Sequence, residues 1–111
     1  MSTITVPRSG VTADEVSAVL RRGLGSRYTV TPSMMATGFG KEVPGGPNTV
    51  LVAGNWLERA NIELTTKANG TEIDVSPGAT YFGLIRLIHR AGLARKVHQA
   101  LEHAPDFAGP N

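Results

Sequence analysis

A glycine-rich stretch from Gly38 to Lys41 has residue types suited to phosphate binding. In a P-loop, two glycines are separated by four residues, and lysine and a serine or threonine follow the second. Here Met35 occupies the first glycine position and Glu42 follows the lysine. The dinucleotide-binding pattern fails as well, because Val43 stands where its third glycine belongs. The stretch is therefore not interpreted as a phosphate site.

Residues that catalyse reactions or bind metals are also thinly spread. No serine lies in a Gly-x-Ser-x-Gly elbow, and the sequence has no cysteine to act as nucleophile or thiolate ligand. His98 and Glu102 are four residues apart on a predicted helix, but no clear third metal ligand accompanies them. Glu63, Glu72 and Asp74 share the solvent face of a predicted hairpin. Carboxylates act as a general acid and a general base only where burial separates their pKa values, which a solvent face does not do. The sequence predicts no catalytic residue, no metal site and no cofactor.

Basic side chains cluster towards the C-terminus. Residues 80–104 contain four arginines or lysines and a single acid. Arg86 and Arg90 lie on the polar side of one predicted helix, and Arg95 and Lys96 lie on the polar side of the next. We interpret Arg86 and Arg90 as candidate binding residues for an anionic partner, although positive charge also complements a helix C-terminus. The anionic partner could be nucleic acid, anionic lipid or an acidic protein; nucleic acid is disfavoured, because no aromatic residues are interleaved for base stacking.

The long connection over residues 33–47 is the least ordinary segment. It contains four glycines, two prolines and the flexible apolar side chains of Met34, Met35 and Phe39. A connection of this length in a compact domain is typically a lid, a binding loop or a disordered tip. Because flexible apolar side chains suit contacts with ligands and proteins, we interpret Met34, Met35 and Phe39 as candidate binding residues. The loop itself is predicted to be flexible.

Length and composition indicate one globular domain over residues 1–111. The formal net charge of +2 is small and gives weak support for a nucleic-acid partner. Residues 1–10 lack the apolar stretch of a signal peptide, and no segment approaches the run of about 18 apolar residues that spans a membrane. We therefore expect a cytoplasmic protein without a membrane span.

The first helix has the clearest start signal. Thr12 and Glu15 form a capping box before an amphipathic pattern, which predicts a helix over residues 13–24. Gly25 is the predicted stop, in a left-handed conformation. Strands are predicted at 3–7, 27–32 and 48–54. The last of these is a continuous apolar run, which indicates that both of its faces are covered for part of its length.

A β-hairpin is predicted over residues 60–76. Its centre is Asn69-Gly70, because both residues tolerate the positive φ of a type I′ turn. This register places Lys67 opposite Glu72. One face of the hairpin is then apolar and consists of Ile62, Leu64, Ile73 and Val75.

Residues 80–104 have a helical pattern whose apolar side changes at Gly92. Two helices, over 80–91 and 93–104, or one sharply bent helix, are predicted for this reason. Residues 106–111 are a predicted frayed tail. The element order β-α-β-β-β-β-α-α predicts a two-layer α+β fold, with a mainly antiparallel sheet of about five strands and helices on one face.

Three functions are compatible with these patterns, in the following order. The first is a small non-catalytic interaction module that docks another protein or itself through the 33–47 loop. The second is a carrier that holds a small apolar ligand between sheet and helices. The third is an anion or nucleic-acid binder that uses the basic C-terminal helices. The absence of a catalytic motif argues against an enzyme.

Overall fold

Strands with alternating apolar residues build an antiparallel sheet at the centre of the fold. The structure is a computed structural model that describes residues 2–36, 41–54, 59–77 and 83–107. In chain order its elements are β1 (Ser2–Val6), α1 (Ala13–Leu24), β2 (Thr29–Pro32), β3 (Met34–Ala36), β4 (Glu42–Pro44), β5 (Thr49–Ala53), β6 (Arg59–Lys67), β7 (Gly70–Pro77) and α2 (Gly83–Glu102). Five strands form one antiparallel sheet in the order β1-β7-β6-β5-β2, while β3 and β4 form a separate pair. The predicted α+β class and five-stranded sheet are confirmed.

Helix α1 begins and ends where the sequence indicates. The Thr12 Oγ1 accepts a hydrogen bond from the Glu15 backbone N–H at 3.2 Å, and Gly25 ends the helix with φ +80° and ψ −177°. Gly25 thus has the positive φ of the predicted stop but not the αL conformation. The Glu15 carboxylate, however, binds the Arg8 guanidinium at 2.6 Å. Glu15 therefore anchors the chain segment before α1 as well as taking part in its cap.

The main core lies between the two helices and the sheet face that we call the inner face. Both α1 and α2 contribute fully buried side chains to it, and the strands contribute alternate residues. The largest of these are Leu20, Ile62, Ile73, Leu93 and Leu101. Among the described helices, none combines the length and the apolarity that crossing a bilayer requires.

The hairpin of β6 and β7 has the predicted faces but a different register. Lys67 lies opposite Gly70 and Leu64 lies opposite Ile73, so the turn residues are Ala68 and Asn69. The predicted pairing is therefore wrong by two residues. A shift of two keeps every side chain on its predicted face, because side chains alternate with period two.

Gly70 explains the shift. A Cβ on Gly70 would collide with the backbone carbonyl oxygen of Val6, so the glycine serves the close approach of β1 rather than a turn. The turn is also fixed from outside, since the Ser9 hydroxyl donates to the Lys67 carbonyl at 2.8 Å. These long-range contacts outweigh the local preference of Asn69-Gly70.

Helix α2 continues through Gly92, so the predicted pair of helices is wrong, and the alternative of one sharply bent helix stays a prediction. Gly92 is exposed and is not among the glycines with positive φ. Glycine costs a helix interior only about 1 kcal/mol, which burial of Leu93 and Val97 one and five residues later readily offsets. The side chains of residues 83–91 lie outside the described part of the structure.

The chain after α2 also differs from a frayed tail. Residues Pro105–Phe107 form a 3₁₀ turn, and Phe107 is 6% exposed within the main core. The aromatic ring therefore anchors the start of the predicted tail. Residues 108–111 lie outside the described residues.

The β3–β4 hairpin covers part of the opposite face of the sheet, the outer face. The predicted loop over residues 33–47 contains this hairpin, and its tip at 37–40 lies outside the described residues. Leu51 points to the outer face and is only 2% exposed, although it is not part of the main core. Coverage of β5 on both faces is thereby confirmed, and the hairpin supplies the second cover.

A side-chain amide joins the hairpin to the sheet. Asn61 donates to the Ala36 carbonyl at 2.9 Å and accepts from the Ala36 N–H at 2.9 Å. These two hydrogen bonds satisfy backbone groups of Ala36 that a neighbouring strand would otherwise pair with. An ion pair of 3.1 Å between Arg59 and Glu42 adds a second, partly exposed link.

Asn61→Ala is expected to lower the free energy of unfolding by about 1–3 kcal/mol, because it leaves two buried backbone groups of Ala36 without partners. Urea denaturation measures the change. Asn48→Ala is the matched control, since it removes the same amide from an exposed side chain and is expected to have an effect within about 0.5 kcal/mol. Equal effects of the two substitutions would contradict a tethering role for Asn61.

Candidate anion-binding cleft

The structure describes the side chains of only two of the five sequence-predicted binding residues. Met34 and Met35 lie half-buried on β3, over the outer face, and Phe39 lies outside the described residues. Arg86 and Arg90 belong to α2, which packs on the inner face, and their side chains lie outside what the structure describes.

A concave site is present instead between the C-terminal part of α1 and the C-terminal half of α2. The cleft has a volume of about 420 Å³. It is lined by Gly23, Leu24, Arg27, Tyr28, Lys96, Gln99 and Ala100. Residues from two distant parts of the sequence therefore share one surface depression.

Gly23 sets the depth of this cleft. A Cβ on Gly23 would lie 3.1 Å from the Cβ of Ala100, which is tighter than ordinary side-chain packing. The absence of a side chain lets α1 and α2 approach each other at this point. The floor of the cleft is consequently formed by small residues, and its walls are formed by longer side chains.

Tyr28 holds Lys96 in place. The Lys96 ammonium donates to the Tyr28 hydroxyl at 2.9 Å and lies 5.5 Å from the ring centroid. The distance from the ammonium to the ring centroid nearly equals the distance from the centroid to the hydroxyl oxygen plus the length of the hydrogen bond. The ammonium therefore lies beyond the hydroxyl and not over the ring face. The contact is therefore a hydrogen bond to the rim of a buried ring. It uses one of the three N–H donors of Lys96.

Arg27 supplies the second positive charge. Its guanidinium carbon lies 5.9 Å from the Tyr28 ring centroid, near the outer limit of a cation–π contact. Arg27 and Lys96 are both exposed, and neither forms an ion pair with a carboxylate of the described residues. Both cations are thus available to an incoming anion.

The remaining walls are mixed in character. Gln99 offers an amide, while Leu24 and Ala100 are half-buried apolar residues. None of the seven lining residues is acidic. The cleft can therefore accept a carboxylate, sulfate or phosphate group at Arg27 and Lys96 and an apolar group beside Leu24.

The acidic outer face does not form a comparable site. Glu63 and Asp74 are cross-strand partners, the Thr3 hydroxyl donates to Asp74 at 2.6 Å, and Lys67 pairs with Glu72 at 2.7 Å. On α2, His98 and Glu102 contact each other at 2.8 Å. Within the described ranges, no group of three or more His, Cys, Asp or Glu side chains is placed to hold a metal ion.

Sequence reasoning named Lys96 as a basic residue but missed Arg27, Tyr28 and Gln99. Tyr28 and Arg27 precede a short strand, where an aromatic residue reads as part of the core. The residue that could have indicated the cleft from sequence is Gly23. A glycine inside a helix is unfavourable, and its presence indicates that another backbone or helix comes close.

Comparisons with known proteins give no counterpart for the cleft. No protein-family model, no curated protein and no solved structure matches the chain. The roles of its residues are therefore argued from their contacts.

Proposed function

We propose that this protein is a small non-catalytic binding module that takes an organic anion in the cleft between α1 and α2. The observation that carries the proposal is the pair of cations, Arg27 and Lys96, which flank one buried tyrosine without a described acidic partner. An anion that reaches both cations would gain two charge-assisted contacts. It would displace no existing ion pair of the described residues.

The volume of the cleft is compatible with a small ligand. Its volume of about 420 Å³ lies within the range of about 300–1,000 Å³ that is typical of small-molecule sites. A nucleic acid would instead need a basic stripe with stacking platforms. The half-buried Leu24 and Ala100 favour a ligand that carries an apolar group beside its charge.

An apolar-ligand carrier and a module that docks another protein stay as weaker proposals. Many of the described side chains between sheet and helices are fully buried, as Val52, Ile73 and Val97 are, and this gives an apolar carrier less support there. Docking of a protein through Met34 and Met35 stays a prediction. A cytoplasmic location also belongs to the proposal; without cysteine the chain forms no disulfide and does not require an oxidising compartment.

Lys96→Gln is expected to weaken binding of phenyl phosphate about tenfold to a hundredfold, because it removes a charge-assisted contact of about 1.5–3 kcal/mol. Isothermal titration calorimetry measures the affinity. Arg27→Gln is expected to act in the same direction, and it leaves the hydrogen bond between Tyr28 and Lys96 in place.

Arg95→Gln is the matched control for this experiment. It removes one positive charge from the neighbouring position of α2, but Arg95 does not line the cleft. We expect an affinity within about twofold of the original protein, since an exposed charge outside the site contributes little. If phenyl phosphate does not bind, or if all three substitutions weaken it equally, the proposed function is wrong.

A further inference from the structure

The two edges of the main sheet are built differently. At one edge, β2 is four residues long and ends at Pro32, and the Arg21 guanidinium donates to the Val30 carbonyl at 2.9 Å. A proline and a side-chain donor of this kind hinder another strand from pairing with β2. The edge at β2 is therefore blocked by the fold itself.

Within the part of the chain that the structure describes, the edge at β1 has no such block. β1 pairs with β7 through all five of its residues, and no described strand pairs with its other side. Its residues Ser2–Val6 include neither proline nor a charged side chain. Such an edge is open to pairing with a further extended strand.

An apolar side chain is left partly exposed at this edge. Ile4 belongs to the inner face, like its neighbours on β7, but it is only half-buried, whereas Ile73 and Val75 are 0% exposed. Among the described side chains, the main core is thus less complete at the centre of β1 than on β7. A strand added there would cover Ile4 and close the core.

The sequence of β1 is suited to pairing with itself. An antiparallel pair centred on Ile4 sets Ile4 of one copy against Ile4 of the other, and Thr3 against Thr5. Residues of the inner face are then paired with residues of the inner face, so the inner faces of the two copies lie on the same side of the combined sheet. The outer row is neutral and consists of threonines, whose cross-strand pairs are favourable.

We propose that two copies of this chain associate through β1 to form a continuous antiparallel sheet with two-fold symmetry. The proposal goes beyond the anion cleft, because it rests on a different part of the fold. The shared surface is a single strand from each copy, which places the dimer among weak, reversible assemblies. Its population must therefore depend on protein concentration.

Analytical ultracentrifugation over a dilution series, from millimolar to low micromolar protein, tests the proposal. We expect the original chain to pass from dimer to monomer on dilution. The variant with Thr3→Lys and Thr5→Lys is expected to stay monomeric throughout, since four lysines would meet across the two-fold axis. Beside Asp74 and Glu72, their cross-strand partners on β7, the lysines suit the folded monomer.

The control variant carries Thr29→Lys and Thr65→Lys, which add the same charge at exposed positions away from β1. It is expected to dimerise like the original chain. Hydrogen exchange provides a second measurement, in which the β1 amides of the original chain gain protection as concentration rises. A chain that is monomeric at every concentration, a dimer that survives the β1 lysines, or a dimer lost equally in the control would overturn the proposal.

Discussion

Gly70→Ala is expected to lower the free energy of unfolding by about 3 kcal/mol or more, which is large for a substitution that adds one methyl group. The methyl group would collide with the carbonyl oxygen of Val6, so β1 would have to move away from the end of β7. The segment that would be displaced is itself anchored, because the Thr71 hydroxyl donates to the Arg8 carbonyl at 2.9 Å. Urea denaturation followed by circular dichroism measures the change. Gly70→Val adds more bulk at the same position and is expected to be worse.

Gly92→Ala is the control for Gly70→Ala. A Cβ on Gly92 meets no atom within 4 Å, and the residue lies inside α2 without positive φ. The same substitution is therefore expected to raise the free energy of unfolding by about 0.5–1 kcal/mol, through helix propensity. Opposite signs at the two glycines support the close approach at Gly70 and the continuous helix together. Destabilisation at Gly92 would instead indicate that the helix ends there.

Leu51→Ala is expected to lower the free energy of unfolding by about 2–4 kcal/mol, as at a buried core position, although Leu51 lies on the face away from the helices. Its side chain is 2% exposed, and the covering hairpin is also held by Asn61 and Arg59. Removing the side chain leaves a cavity below β3. Faster hydrogen exchange at the Ala36 amide is expected to accompany the loss, because the hairpin is loosened.

Thr65→Ala is the matched control on the outer face, at a position that is exposed. It is expected to change the free energy of unfolding by less than about 0.5 kcal/mol. A small effect of Leu51→Ala, similar to that of Thr65→Ala, would show that the hairpin does not cover the sheet in solution.

Periodicity and capping predict most of the main sheet and the first helix. The faces of β6 and β7 follow from alternation, and this survives the error in register because the shift is even. The bounds of α1 follow from Thr12 and Gly25, whose roles depend only on neighbouring residues. Local signals of this kind are legible in a single sequence.

The remaining features depend on contacts between distant residues. The use of Gly70 is set by Val6, and the continuity of α2 through Gly92 is supported by burial of its second half. The hairpin within residues 33–47 is held by Asn61, whose side chain gives no sequence signal for this role. Tertiary contacts outweigh local preference at each of these points.

The candidate cleft was the least predictable feature for the same reason. Arg27 and Lys96 belong to different elements, and only the packing of α1 against α2 brings them to one site. The sequence identified a basic C-terminal segment. It could not indicate which of its residues lies beside Tyr28.

The most direct test of the account is a two-dimensional ¹H–¹⁵N NMR titration of the protein with phenyl phosphate, with phenol as the uncharged control. We expect saturable shifts at the backbone amides of Gly23 and Ala100 and at the side-chain amide of Gln99, with no such response to phenol. Shifts confined to other surfaces, or an equal response to phenol, would contradict the assignment of the cleft between α1 and α2 as an anion site.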